Sequence, residues 1–424
     1  MGVLTRPILF RTIKSHHQSV YLLSTFNQFN TSSQIFLLNS NDIYRNLTFE
    51  ECLYREGEKY LQCVKDKPPW FSKILLWRSN PPCIVIGRFQ NVWNEVNCPL
   101  VHSKGWKLAR RHSGGGTVYH DLGNLNITFM QPRCYMNRQE CMALLQSILQ
   151  PLLMPLRYTI HIGSRYDLWI TENQTSTNLL ENQFKISGSS SKFGANMAYH
   201  HCTLLFDANL NNLSEVLKPT FINLQTKATD SVRSPVKNIN LNIDLLLNAI
   251  IEQSLKWIAK YDLITSHPKV THVIENQEQQ FITDQKQFHQ LFTTLQTWSW
   301  IYGSSPSFSI PIENYNINLY NIIHPLDGSI LLNFDRGALF KSIEFHHRDG
   351  TTVQNHHHHQ FLDTLNEFLT EITICLRHVE CRTNSWDFIL DQWIAKKSFQ
   401  LNGENLPEEQ LLIIKVLTLI SSLF

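Results

Sequence analysis

The chain has 424 residues, more than one hydrophobic core usually serves, and 42% hydrophobic content with 10 Trp, 24 Phe and 13 Tyr is ample for packed interiors. Its 37 basic and 35 acidic residues leave a formal charge of +2, which excludes the strongly basic profile of a nucleic-acid binder. The 9 cysteines, from Cys52 to Cys381, make no CxxC pair or zinc-ribbon spacing, so reduced thiols are expected rather than a disulfide framework.

No acidic residue precedes Asp42, while Arg6, Arg11 and Lys14 stand among Ser, Thr and aliphatic residues. That composition predicts a mitochondrial transit peptide over residues 1–35. A catalytic domain is expected over 41–262. Within it, Asn46 to Tyr60 reads as a helix and Ile84-Val85-Ile86 as a buried strand. Leu125, Ile127 and Phe129 alternate with Asn126, Thr128 and Met130, which predicts a strand with one face buried, and a helix follows from Met136 to Leu149. Thr171 to Gln183, rich in Asn, Gln and Thr, reads as a mobile loop. Ile243, Leu246, Leu247 and Ile250 keep helical spacing and predict an amphipathic helix to about Tyr261. Polar, weakly periodic sequence over 263–296 predicts a linker region, with a small accessory domain over 297–400 and a C-terminal helix or tail over 401–424. Leu411 to Phe424 is apolar but contains Lys415, and it is too short to cross about 30 Å of hydrocarbon. No carboxylate or thiolate stands near His356 to His359 in sequence to close a coordination sphere, so no metal site is expected there.

The densest chemistry lies in Ala109-Arg110-Arg111-His112-Ser113-Gly114-Gly115-Gly116-Thr117-Val118-Tyr119-His120-Asp121. Three glycines let a backbone approach a ligand closely and turn its amides toward an anion, and Arg110 and Arg111 are expected to add positive charge there. The spacing fits neither GxxxxGK[ST] nor GxGxxG, so ordinary P-loop and dinucleotide readings fail. Lys185, entering a strand at Lys185-Ile186-Ser187-Gly188-Ser189, could reach a bound phosphate or acyl carbonyl as a fixed cation. In the following His200-His201-Cys202-Thr203-Leu204-Leu205, alternation sends the two histidines to opposite faces, which argues against a metal pair.

With these segments in view, the chain resembles the lipoate-protein ligase family, and within it the mitochondrial lipoyl transferases. The likeness runs through Asn41 to Leu47, Val85 to Glu95, Arg110 to Asn124, Arg165-Tyr166-Asp167-Leu168, the Lys185 and His200 segments, Thr229 to Ser234 and Trp298 to Gly303. The resemblance implies an α+β catalytic domain of the biotin and lipoate protein ligase type, with a mostly antiparallel sheet, and a small C-terminal accessory domain. It implies binding of lipoyl-AMP by Arg111, Gly114, Gly115, Gly116, Thr117, Val118, Tyr119, Arg165, Asp167, Lys185, Thr203 and Thr229, with the acyl chain in an apolar tunnel and Lys185 as the catalytic cation. Expected acceptors are lipoyl domains of 2-oxoacid dehydrogenase E2 subunits and the glycine cleavage H protein. A monomer in the mitochondrial matrix is expected, with no nucleic acid, membrane or metal. Tyr166 departs from the Asn of bacterial ligases.

Three rival readings stay open. A complete ligase would use free lipoate, ATP and Mg. An octanoyl transferase would need an activated thiolate, and Cys202, the cysteine within the key blocks, reads as strand packing. A non-catalytic lipoyl-domain binder would predict loss of the loop arginines or Lys185, and these are present. Biotin attachment lacks the GRGRxG pattern.

Overall fold

The computed structural model describes residues 31–423 except 173–182, 220, 222, 263–267, 316–317, 319, 322–327, 348–355, 378, 380–381, 383–385 and 401–406. The transit peptide expected over 1–35 thus lies outside the described residues up to position 30, as does most of the loop expected from Thr171 to Gln183. Strand β1 (Gln34–Leu38) begins at the very end of that leader span and runs past it. Asp42 then starts helix α1 (Ile43–Gln62) by accepting the amides of Tyr44 and Arg45. Next come β2 (Lys73–Trp77), β3 (Cys83–Ile86), the short helices α2 (Val92–Glu95) and α3 (Cys98–Ser103), β4 (Lys107–Arg110), β5 (Val118–His120) and β6 (Asn124–Pro132). Helix α4 (Arg138–Leu153) precedes β7 (Tyr158–Ile162), β8 (Leu168–Glu172), β9 (Gln183–Ser187), β10 (Ser189–Phe193) and β11 (Met197–Leu205). Helix α5 (Leu210–Val216), β12 (Gln225–Thr226), α6 (Ile243–Tyr261) and β13 (Lys269–Val273) follow.

The main sheet has the order β10-β11-β6-β2-β1-β13 and is antiparallel except where β1 runs parallel to β2 and β13. Alternation divides its side chains between two layers. Ile35, Ile74 and Ile127 pack with α4 and α6, while Phe36, Leu75 and Met130 join Leu47 and Leu53 of α1. Strand β6 departs from the expected half-buried pattern: Asn126, Thr128 and Met130 are also buried. Helix α1 covers that second face, and Thr128 Oγ1 donates to Glu50 Oε1 at 2.6 Å. A polar row can be buried there because it finds partners.

The linker expected over 263–296 carries regular structure. Strand β13 extends the main sheet, and α7 (Gln285–Leu295) buries Phe288, Leu291 and Leu295 against α1. An edge strand and a one-sided helix bear too much polar surface for their periodicity to stand out. Helix α8 (Trp298–Ile301), β14 (Phe308–Pro311), β15 (Gly328–Asp335), β16 (Leu339–His347), α9 (His356–Leu376), α10 (Asp387–Gln400) and α11 (Glu408–Leu423) complete the described elements. The smaller sheet, β12-β14-β15-β16, takes its first strand from within the span expected to be catalytic. Phe334 of β15 lies 4.5 Å from Phe308 and 6.0 Å from Trp386 between ring centroids, an aromatic stack at the centre of this layer. His356 to His359 open α9. Among the described residues no helix is long and apolar enough to cross a membrane.

Candidate active site

Two more sheets, β4-β3-β5 and β7-β8-β9, build the site against the main sheet. In the first, β3 pairs parallel with β4 and antiparallel with β5, so the glycine segment must turn between them within a few residues. Gly115 takes φ +81°, a left-handed conformation that a side chain resists. Gly87 makes the complementary close approach, since a Cβ there would overlap the Gly115 carbonyl oxygen.

Arg110 and Arg111 each hold backbone carbonyls, a role that the expectation from sequence did not include. Both are buried. Arg110 donates to the carbonyls of Gly87, Arg88, Gln90, Trp300 and Ile301 and to Ser305 Oγ. Arg111 donates to Val85 O, Ser113 Oγ, Gly114 O and Gly116 O, the last two at 2.6 and 2.7 Å. A guanidinium's several donors satisfy carbonyls that a tight turn leaves unpaired. The consequence is indirect: with their carbonyls held by Arg111, and that of Gly114 also by Ser190, the glycines have amides that no described residue accepts from. Such amides suit an anion.

Lys185 comes from β9, whose pairing with β8 brings it opposite Trp169. Its Nζ lies 2.9 Å from Asp167 Oδ2, and it reaches a cleft of about 210 Å³. The cleft wall includes Arg111, Gly115, Gly116, Thr117, Val118 and Arg165, together with Asp167, Thr203 and Thr229. Gly114 does not line it. Tyr119 is buried against Trp106 and borders a second compartment of about 460 Å³. The two compartments share Thr117, Val118, Lys185, Gly188, Thr203, Ser231 and Val232.

Register explains the floor of the cleft. Strand β11 pairs with β6 so that His201 stands opposite Thr128 and Thr203 opposite Asn126, on the face opposite Ile127. His200 turns away toward Tyr166, as alternation requires. Leu47, Trp77 and Val85 close the far end with His120. The wall of this cleft is therefore of mixed polarity. Burial, with Arg111 and His201 nearby, lowers the His120 pKa to about 3, and neither ring nitrogen has a hydrogen-bond partner. Cys202 is buried on β11, and desolvation raises its thiol to about 12, unfavourable to a thiolate nucleophile.

Several contributors were not singled out from sequence. Gln90 accepts from the Gly87 amide and from Thr117 Oγ1, and donates to Ser231 Oγ at 3.0 Å. Ser231 in turn accepts the Thr117 amide at 2.8 Å. Both stand in blocks quoted for the resemblance, but nothing in spacing says that they brace one loop.

A profile described as lipoyl protein ligase A/B catalytic domain matches residues 42–258. The chain is 38% identical over 279 residues to the human mitochondrial lipoyl amidotransferase LIPT1, covering 64% of this chain and 65% of that protein. It is 36% identical over 302 residues to the mouse protein of the same name, covering 69% and 72%. The chain therefore spans about two thirds of the length of these relatives. The crystal structure of P. falciparum LipL1 in complex with lipoate superposes with TM-score 0.51 at 22% identity, covering 85% of this chain and 94% of that one, which establishes the shared fold. The chain belongs to the lipoyl protein ligase A/B catalytic domain family.

Proposed function

We propose that this enzyme transfers a lipoyl group from lipoyl-AMP, or from a lipoylated carrier protein, to a lysine of lipoyl domains in mitochondria. The observation that carries the proposal is the meeting of two compartments at Lys185 and the glycine segment. A lipoyl-adenylate has the matching form: an acyl chain and a nucleoside joined by an anionic phosphate. In this reading the acyl chain takes the compartment closed by Trp77 and His120, and the nucleoside takes the one bordered by Tyr119. The amides of Gly115 and Gly116 face the phosphate, and Lys185 stabilises negative charge that grows on the acyl oxygen and the departing phosphate. The acceptor amine attacks the acyl carbonyl. A carbon–nitrogen bond forms, the acyl–phosphate bond breaks, the amine loses a proton and AMP departs. The acid-free sequence before Asp42 and the relatives described as mitochondrial support the location. Acceptors in this proposal are E2 lipoyl domains and the glycine cleavage H protein.

Activation of free lipoate would additionally require ATP and Mg, with cations placed to hold a departing pyrophosphate. Lys192, the one basic residue from Ser189 to Tyr199, is committed elsewhere. Its Nζ lies 2.8 Å from both carboxylate oxygens of Glu51, and 4.3 Å from the centroid of Tyr54. The deciding experiment runs two assays on one preparation. Transfer from lipoyl-AMP to a lipoyl domain is expected to proceed, while lipoate-dependent exchange of pyrophosphate into ATP stays at background. Robust exchange would replace the transferase by a complete ligase.

A further inference from the structure

A chain of hydrogen bonds leads from helix α1 to the glycine segment. Glu50, buried on α1, accepts from Thr128 Oγ1 at 2.6 Å and stands 3.1 Å from His201 Nδ1. His201 Nε2 lies 2.8 Å from Ser113 Oγ, and Arg111 Nε donates to the same oxygen at 3.0 Å. Arg111 then holds the carbonyls of Gly114 and Gly116. Each link constrains the next. The Glu50 carboxylate can only accept, so His201 Nδ1 carries a proton and donates to it. Ser113 Oγ in turn bridges His201 Nε2 on one side and Arg111 Nε, which donates to it, on the other. Desolvation pushes the Glu50 carboxyl up, but His201, Thr128 and Lys192 more than offset it and keep the group ionised.

We infer that Glu50 is a positioning residue that fixes the glycine segment through His201, Ser113 and Arg111, without itself touching the ligand. Neither Glu50 nor Ser113 lines the cleft, whereas His201 and Arg111 do. The ligand effect rests on the lipoyl-adenylate reading above, but the ordering of the segment does not.

A double-mutant cycle between Glu50 and Ser113, which have no direct bond, tests transmission along the chain. Glu50→Met, Ser113→Ala and the double variant would be compared by amide hydrogen exchange of residues 114–117 in the ligand-free protein. Their affinity for lipoyl sulfamoyl-adenosine would be measured by calorimetry. Each single change is expected to speed exchange and weaken binding about tenfold, and the double variant to be no worse than Ser113→Ala alone. Glu50→Gln, whose amide oxygen can still accept both bonds, should restore most of the loss. Multiplying effects in the double variant, or unchanged exchange in Glu50→Met, would overturn the inference. If Glu50→Met does not fold, His201→Phe takes its place in the cycle, with exchange as the readout. Failure of the wild type to bind the adenosine compound would remove the lipoyl-adenylate assignment, while the exchange data would still judge the chain of bonds.

Discussion

Lys185 and Asp167 form an ion pair at the meeting point of two compartments, with Nζ and Oδ2 separated by 2.9 Å. Lys185 arrives from β9 and Asp167 from the turn that leads into β8, and Asp167 is 5% exposed, so its carboxylate is a fixed anchor for a side chain with four rotatable bonds. Lys185→Ala is expected to lower lipoyl transfer by about 10² to 10³, the usual loss of one preorganised charge at a reacting centre. Asp167→Asn keeps the cation but loosens it, so a smaller fall in kcat is expected. A lipoylation blot with rates from early time points ranks the two, and normal turnover by Lys185→Ala would remove this lysine from the chemistry.

Gly115 is constrained twice. Its φ of +81° disfavours any side chain, and a Cβ would sit 3.1 Å from both Arg111 Nη2 and Ser190 Oγ. Gly115→Val therefore puts a branched side chain where the backbone lines the cleft. The backbone conformation adds a folding cost of about 1–3 kcal/mol. A lowered melting temperature together with weakened binding of lipoyl sulfamoyl-adenosine is therefore expected. Unchanged affinity in the folded variant would make the segment purely structural.

Much of this site can be read from the residues, and the parts that cannot share a cause. Glycine content and the Lys185 strand announce themselves because they are backbone and pattern properties. Alternation correctly separates His200 from His201. Arg110 is the less legible of the two loop cations, because it stands outside the cleft wall that Arg111 joins and its direction is set by unpaired carbonyls that sequence does not display. Gln90 and Ser231 are hidden for a related reason: their hydrogen bond spans 141 positions. In the fold, strong amphipathic helices such as α6 are legible, while β13 and α7 lack a period that stands out from polar surroundings.

Cys202 offers a clean discrimination against covalent catalysis through sulfur. Its thiol is buried in the main core, with a pKa near 12, so Cys202→Ala should keep transfer activity at a stability cost of about 1 kcal/mol. Intact-mass spectrometry during turnover should find no acylated enzyme at this residue. A folded, inactive Cys202→Ala would revive the acyl-cysteine route.

The amino-terminal boundary can be set within a few residues. A chain starting at Thr31 is expected to retain transfer and, as a fluorescent fusion, to lose mitochondrial signal. One starting at Phe36 removes Ile35, fully buried between β2 and β13, at a cost of about 2–5 kcal/mol. Thermal melts and imaging of both chains check this, and mitochondrial signal from the Thr31 chain would place the address elsewhere.

The side chain of Arg110 also imposes an order in time. Three of its acceptors, Trp300 O, Ile301 O and Ser305 Oγ, lie 190, 191 and 195 positions later in the chain. At ribosomal rates of about 5–20 residues per second, the interval between making the cation and making those acceptors is on the order of 10–40 s. In the later part of that interval, once Lys185 is made, a nascent chain has the glycines and Lys185 but not the clasp that seats Arg110. The ribosome thus delivers the enzyme's reactive parts first and its fastening last.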